Sequence, residues 1–400
     1  FLKKNQMPET SSGPPHGIEH LNRRKRLANK MLEISNNESS VAILFNGNEK
    51  IRNMDVYYPF RPSSDFFYLT GFYEPESWLF IYIDKDKNYL DLLFSKKKNK
   101  IKEIWDGVII GQIEAKERFN FKKAFPTDEL DIQALEILKK TNHIFAPFDS
   151  FNVLKKAIKN WIHNLKKEKR SGLDSPKSFN NLSLILENFR HLKDQKEIET
   201  MKKAAKISSM GHIRAMSKCK PGMHEYEIEA ELLHEFKTNG AQDVAYPSIV
   251  ASGPHSCILH HRAGRRVMNK NELLLIDAGC ELDGYASDIT RTFPVSGKFN
   301  SLQRQMYNLV FQAQEEAIKK AVPGANFFEP HDAAVKILTL GMIEFGLLKN
   351  ITLEEAIEKK AYQKFYMHKT GHWLGMDVHD VGSYKKPLHK GMTLTIEPGI

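Results

Sequence analysis

The period of the apolar positions changes along the chain. From 18 to 32, Ile18, Leu21, Leu27, Met31 and Leu32 share one helical face. Short apolar and β-branched runs at 41–45, 66–70, 78–83 and 90–94 then read as strands. A helical stretch at 132–139 precedes a further strand at 143–146. Strands mixed with helices predict a compact α/β unit. Residues 1–17 are rich in polar residues, Pro, Ser and Gly and read as a loose tail, and 171–183 (SGLDSPKSFNNLS) reads as a linker. The expected division is therefore a tail at 1–17, one domain at 18–183 and a second at 184–400.

The second half opens on Asp194 with Glu197 three positions on, a capping box, and the helix it starts runs to about Lys218 before Pro221-Gly222. Another helix is expected at 225–237, ended by Asn239-Gly240, then strands at 248–251 and 257–261. Later helices are expected at 302–321, 332–345 and 353–361, and a strand-like alternation (MTLTIE) at 392–397. Between them, 273–294 (LLLIDAGCELDGYASDITRTFP) holds two β-like runs, 273–280 and 285–293, around Asp283-Gly284, a strong two-residue turn signal. With that turn, Asp277 faces Thr290 and Asp288 faces Gly279. Both acids then lie on one face, a diagonal step apart, with Cα atoms roughly 7–8 Å from each other. Two carboxylates on the inner side of an apolar hairpin are costly to bury unpaired, and a shared cation resolves the cost. The alternative is one Asp capping a turn and the other on a wet face.

Composition narrows the class. The chain has 400 residues, 41% hydrophobic and 10% aromatic, the profile of a globular protein with room for two or three domains. It shows no apolar run of 18 residues and no hydrophobic signal-peptide core, so no membrane partner is expected. The formal charge of +10 gathers in runs at 23–26, 96–102 and 166–170 that lack interleaved aromatics and match no nucleic-acid motif. These are read as solvated surface rather than as a nucleic-acid site. Cys219, Cys257 and Cys280 form no zinc motif or disulfide framework, which points to a reducing compartment, the cytoplasm first and the mitochondrial matrix as alternative.

Three further segments supply candidate ligands: Cys257-Ile258-Leu259-His260-His261; MHKTGHWLGMDVHDV, with His368, His372 and His379; and Thr395-Ile396-Glu397-Pro398-Gly399. Two or three carboxylates with one imidazole make a hard, oxygen-rich site, suited to Mn²⁺, Co²⁺ or Fe²⁺, with Zn²⁺ as a further candidate. Bridging carboxylates can hold two cations about 3.5–4 Å apart, and water between them becomes a hydroxide nucleophile near neutral pH.

The order Asp277, Asp288 in DITRTFP, His372 in GHWLGMDVHD and Glu397 in TIEPG resembles the metal-dependent aminopeptidases of the pita-bread fold. Tyr58-Pro59-Phe60-Arg61, the run Ser64 to Phe72 and Glu74-Pro75 are similar to the N-terminal domain of the aminopeptidase P branch, whose α/β domain precedes the catalytic one. The resemblance implies a two-metal hydrolase, Mn²⁺ first, that removes the residue before a proline at position two of a peptide. It implies Asp277, Asp288, His372 and Glu397 as metal ligands, with Asp288 bridging and Glu397 also acting as general base. His379 would stabilise the tetrahedral intermediate, His260 would sit beside the substrate and help to shuttle protons, and His368 would support the substrate site. A homo-oligomer, dimer or tetramer, is implied as well. Prolidase, which shares every one of these ligands but takes only dipeptides, is the alternative, followed by a non-catalytic binding protein on the same scaffold. Two departures are expected to matter. The family carries a further Arg and a second bridging Glu beyond the point matching Ile400, and the stretch between Gly382 and Gly391 reads as short. A chain ending there is expected to lack a fifth ligand and to bind the metal pair weakly.

Overall fold

The computed structural model describes residues 18–148, 152–167 and 176–400, and the proposed tail and part of the proposed linker lie outside them. The chain divides into two compact units, Phe1–Leu186 and Glu187–Ile400.

The first unit is built on a six-stranded mixed sheet, in the order Lys123–Pro126, Tyr89–Ser95, Trp78–Ile83, Ser40–Phe45, His143–Ala146, Ser178–Asn181. The strand Ser40–Phe45 is buried along its whole length, as its unbroken apolar run requires of a strand covered on both faces. One core cluster runs from Val41, Ile43, Phe80 and Phe94 to Leu154, Ile158, Trp161 and Leu165 of the amphipathic helix Asn152–Lys167. The helix Ile18–Ile34 buries Leu27, Ala28, Met31 and Leu32.

Three expectations for this unit fail for identifiable reasons. The run 66–70 forms the helix Ser64–Thr70, with six residues buried and Gly71 closing it in the left-handed region at φ 66°. Its aromatic content suggested a strand, but burial on every side hides the period that separates strand from helix. Part of the expected linker is structured: Ser178–Asn181 pairs in parallel with His143–Ala146, and the helix Ser183–His191 follows. The basic run at 23–26 is not wholly solvated. Arg24 is fully buried, with Nε 2.6 Å from Asp91 Oδ2 and its other nitrogens donating to the carbonyls of Leu69, Phe119 and Asn120.

The second unit packs the helices Gln195–Lys218 and Glu225–Thr238 against two small sheets. One sheet orders Ile249–Ser252, Leu273–Asp277 and Thr290–Pro294, and the other Tyr285–Ala286, Cys280–Leu282 and Asp243–Val244. The capping box forms as read: Asp194 accepts from the Glu197 N–H and Glu197 Oε2 accepts from the Asp194 N–H, both at 2.9 Å. The helices Ser301–Lys320 and Glu329–Glu344 form a second layer around Ala313, Ala317, Leu338 and Met342. Two expected strands are absent. Residues 253–257 form a 3₁₀ turn started by Pro254, which breaks the run at 257–261. The 392–397 stretch is extended but makes one isolated bridge, Leu394 with Trp373, flanked by Thr395 N–H to His372 O and Glu397 N–H to Thr370 O.

Candidate metal centre

The hairpin register follows from the turn. Asp283 and Gly284 adopt φ 50° and 78°, the two positive values of a type I′ turn, and Asp277 pairs with Thr290. Each arm, however, is interrupted between the two small sheets, at 278–279 and at 287–289. The break is tied to the helix Gln195–Lys218: Ser208 Oγ lies 2.8 Å from Ser287 Oγ and accepts from the Cys280 N–H, and His212 Nε2 lies 3.0 Å from the Ala278 carbonyl. Gly279 is required at the crossing, since a Cβ there would sit 1.8 Å from the Ser287 carbonyl oxygen. Asp288 thus leaves the ladder and turns inward beside Asp277.

Tyr246 joins the two acids. Its hydroxyl is 2.5 Å from Asp277 Oδ1 and 2.8 Å from Asp288 Oδ1, so one phenolic proton serves two carboxylates. Burial, reinforced by the charge of Asp288, pushes the Asp277 carboxyl up to about 7.

His372 and Glu397 reach the same point from the two extended segments at 370–374 and 393–397. Gly371 permits the crossing, because a Cβ there would lie 2.0 Å from the Thr395 carbonyl oxygen. The Thr395 hydroxyl accepts from the His372 N–H at 3.0 Å and donates to Glu397 Oε1 at 2.6 Å. His372 Nδ1 lies 2.9 Å from the Trp373 carbonyl, which can only accept, so Nδ1 carries the proton. Nε2 then faces Asp288 Oδ2 at 3.3 Å and Glu397 Oε1 at 3.2 Å. Three acceptor atoms converge within 4.8 Å of one another. Only a cation, proton or metal, reconciles them. Burial lowers the basicity of His372, but its hydrogen bonds to Asp288 and Glu397 prevail and raise it to about 10. The donor set and the orienting carbonyl behind the imidazole fit a divalent ion.

His379 stacks edge-on against His372, ring centroids 4.2 Å apart. Burial first, and then the charge of His372, hold its imidazole below the ordinary value, with His260 adding to the effect. The His379 loop is pinned on either side: Arg190 Nη2 donates to Asp377 and Asp380 at 2.6 Å each, and Lys193 Nζ donates to Asp380 at 2.9 Å. His260 stands exposed after the 3₁₀ turn, whereas its neighbour His261 faces Glu225, 2.8 Å away. His368 packs edge-on against Tyr366 at 5.0 Å, and its Nε2 lies 3.5 Å from where a Cβ on Gly399 would be. Ser208 and His212 share the helix Gln195–Lys218, Arg190 and Lys193 lie just before its start, and Tyr246 lies on a loop; none of them carries a spacing signal that could have drawn it from the sequence.

Residues 199–400 match metallopeptidase family M24, and residues 20–145 match the aminopeptidase P N-terminal domain. The chain belongs to metallopeptidase family M24. Among its relatives is the Xaa-Pro aminopeptidase of Escherichia coli, 37% identical over 90% of this chain and 82% of the relative. The structure of Pseudomonas aeruginosa aminopeptidase PepP superposes with a TM-score of 0.91 at 39% identity, covering 95% of this chain and 86% of that one. A zinc-substituted E. coli aminopeptidase P in complex with product superposes equally well, TM-score 0.91 at 36% identity over 95% of this chain and 86% of that chain. The M24 chain therefore has the two-domain aminopeptidase P architecture, with a pita-bread second domain. The family implies divalent metal ions. Among the described residues no helix is long and apolar enough to cross a membrane.

Proposed function

We propose that this M24 chain is an Xaa-Pro aminopeptidase, hydrolysing the bond between the first residue of a peptide and a proline that follows it. The observation that supports it most is the convergence of Asp288 Oδ2, His372 Nε2 and Glu397 Oε1, acceptors that need a cation among them, beside Asp277. The relatives that share both halves of the chain are named for this activity.

In this reading Asp277, Asp288, His372 and Glu397 hold two divalent ions, Mn²⁺ by preference. Bound there, the ions supply Lewis acidity, lowering the pKa of water and polarising a carbonyl oxygen. Tyr246 holds the Asp277 and Asp288 carboxylates in register. Glu397 takes the proton of the attacking water and returns it to the leaving proline nitrogen, which is tertiary in the substrate and needs a proton to depart. Neutral His379 donates to the scissile oxygen as charge develops on it. His260 binds the substrate from the exposed loop, and His368 supports the site from behind. Proline lacks the N–H by which most peptidases clamp an extended chain at that position, which gives a dedicated enzyme its place.

The test is hydrolysis of an Xaa-Pro-Xaa tripeptide against an Xaa-Pro dipeptide with Mn²⁺ supplied. Tripeptide turnover supports the assignment; dipeptide turnover alone would make the protein a prolidase. Neither activity, with no retained metal, would favour a binding protein. We further infer a homo-oligomer, supported by Ile101, Ile104 and Trp105, which stand 72–83% exposed on one short helix. Three free cysteines, one of them exposed, support a reducing compartment, the cytoplasm first.

A further inference from the structure

Away from the acidic cluster, a second set of ligand-type side chains converges. We propose that Glu225, His255 and His261 form a binding site for a single zinc-class divalent cation, which fastens the loop at 253–264. Glu225 opens the helix Glu225–Thr238 and is fully buried; His255 and His261 come from the loop opposite. His255 Nδ1 lies 3.0 Å from Glu225 Oε1, and His261 Nε2 lies 2.8 Å from Glu225 Oε2. One ligand atom from each residue falls within 4.8 Å of the other two. The rings lie 4.2 Å apart at 35°, so both offer a nitrogen to the same side.

The dimensions suit zinc. Bonds of about 2.0–2.2 Å to nitrogen and oxygen put ligand atoms of a tetrahedral site about 3.3–3.5 Å apart. The two imidazole–carboxylate separations, 3.0 and 2.8 Å to different oxygens of Glu225, would open by about 0.3–0.7 Å. Two imidazoles and one carboxylate leave a fourth position for water, and the 32% exposure of the His255 side chain gives a route in. Each imidazole can carry its N–H on the nitrogen away from Glu225, which frees the lone pair of the facing nitrogen for the ion.

The carboxylate is oversubscribed as it stands. Glu225 accepts from the Ser252 N–H and hydroxyl, the Gly264 N–H and both imidazoles, five donors against about four lone-pair positions. The two imidazole contacts are the ones an ion replaces; the backbone contacts keep Glu225 in place. It is held ionised as well: burial opposes its charge, but the His261 and Ser252 hydrogen bonds prevail and lower it to about 2. Arg266, beside Ser252, is itself paired with Glu272 at 2.5 and 2.7 Å, so its positive charge is largely cancelled.

The assignment is independent of the reaction catalysed, and its test counts ions. The full chain is dialysed to equilibrium against micromolar free Zn²⁺, and bound zinc per chain is measured for the parent and for His255→Asn, His261→Asn and His234→Asn. The last lies on the exposed side of the helix that Glu225 opens. The expected result is one zinc fewer per chain in each of the first two variants and no change in the third. In the parent alone, zinc should also slow amide exchange across 253–264. Glu225→Gln is avoided because five hydrogen bonds depend on that carboxylate, and an unchanged circular dichroism spectrum confirms that each His variant has folded. Equal zinc in parent and both loop variants overturns the proposal; so does an equal loss from His234→Asn, which would mark adventitious surface binding only.

Discussion

At the residue scale the centre depends on acceptors outnumbering donors. Asp288 meets Tyr246 with one oxygen and His372 with the other, so it is the carboxylate most tightly woven into the cluster. Asp288→Asn removes its charge while nearly keeping its shape. Turnover of an Xaa-Pro tripeptide should fall by orders of magnitude, with retained metal falling in parallel and the far-ultraviolet spectrum unchanged. Activity within a few-fold of the parent would contradict the ligand role. Tyr246→Phe tests the neighbouring claim. It deletes the one proton held between two acids, and loss of such an outer partner typically weakens metal affinity about 10–100-fold. A titration with Mn²⁺ followed by activity should show the midpoint moving to higher metal with kcat at saturation much less affected. Asp277 and Asp288 were legible because the Asp-Gly turn dictates register over the few residues that separate it from them. Tyr246 was not, since it approaches from 31 residues away in sequence on a loop without a motif.

At the element scale, reading succeeded where a period or cap was visible and failed where burial erased it. The helix Gln195–Lys218 announces itself by its capping box. The helix Ser64–Thr70 does not, because an element buried on every face needs no alternation. The extended 392–397 stretch shows the converse: alternation was present, but its partner at 370–374 twists away after a few bonds, so the two meet long enough to aim His372 and Glu397 and no longer. Charge misleads similarly. Arg24 stands in a run of four basic residues, yet it is the buried cation joining the helix Ile18–Ile34 to the strand Tyr89–Ser95. Asp91 also accepts from the Tyr89 hydroxyl and the Lys122 N–H. Asp91→Ala would strand the guanidinium without a counter-charge, and breaking a buried pair in this way typically costs about 3–5 kcal/mol. The first unit should then melt several degrees earlier. A change under one degree would mean that solvent reaches Arg24.

At the scale of the whole molecule, His191, His331, Glu225 and Glu272 predict acid sensitivity, and the signs of these four agree. Asp277, pushed up to about 7, acts in the opposite sense over the first stage but is one group against two histidines. Burial, with nearby lysines, holds His191 and His331 down to about 4. The unfolded chain takes up protons at these histidines first, from near 6.5, so their contribution is complete above that pH and is lost as pH falls toward 4. Glu272 is lowered to about 2, chiefly by its hydrogen bonds with Arg266, and Glu225 to a similar value despite its burial. Their contributions are complete above about 4.5, the ordinary glutamate value, and are lost as pH falls toward 2. For buried Glu225 the shift corresponds to about 3 kcal/mol; partly exposed Glu272 contributes less. All four groups belong to the second unit. Its melting temperature, measured in chelator so that metal release adds nothing, should therefore decline in two stages, between pH 6.5 and 4 and again below 4.5. His331→Gln removes one contributor to the first stage. It should flatten the decline between pH 6.5 and 4 and leave the second stage in place. A melting temperature constant from pH 7 to 4 in the parent would show that these imidazoles are solvated in the folded chain, and with them the interior packing around Trp373 and Tyr366.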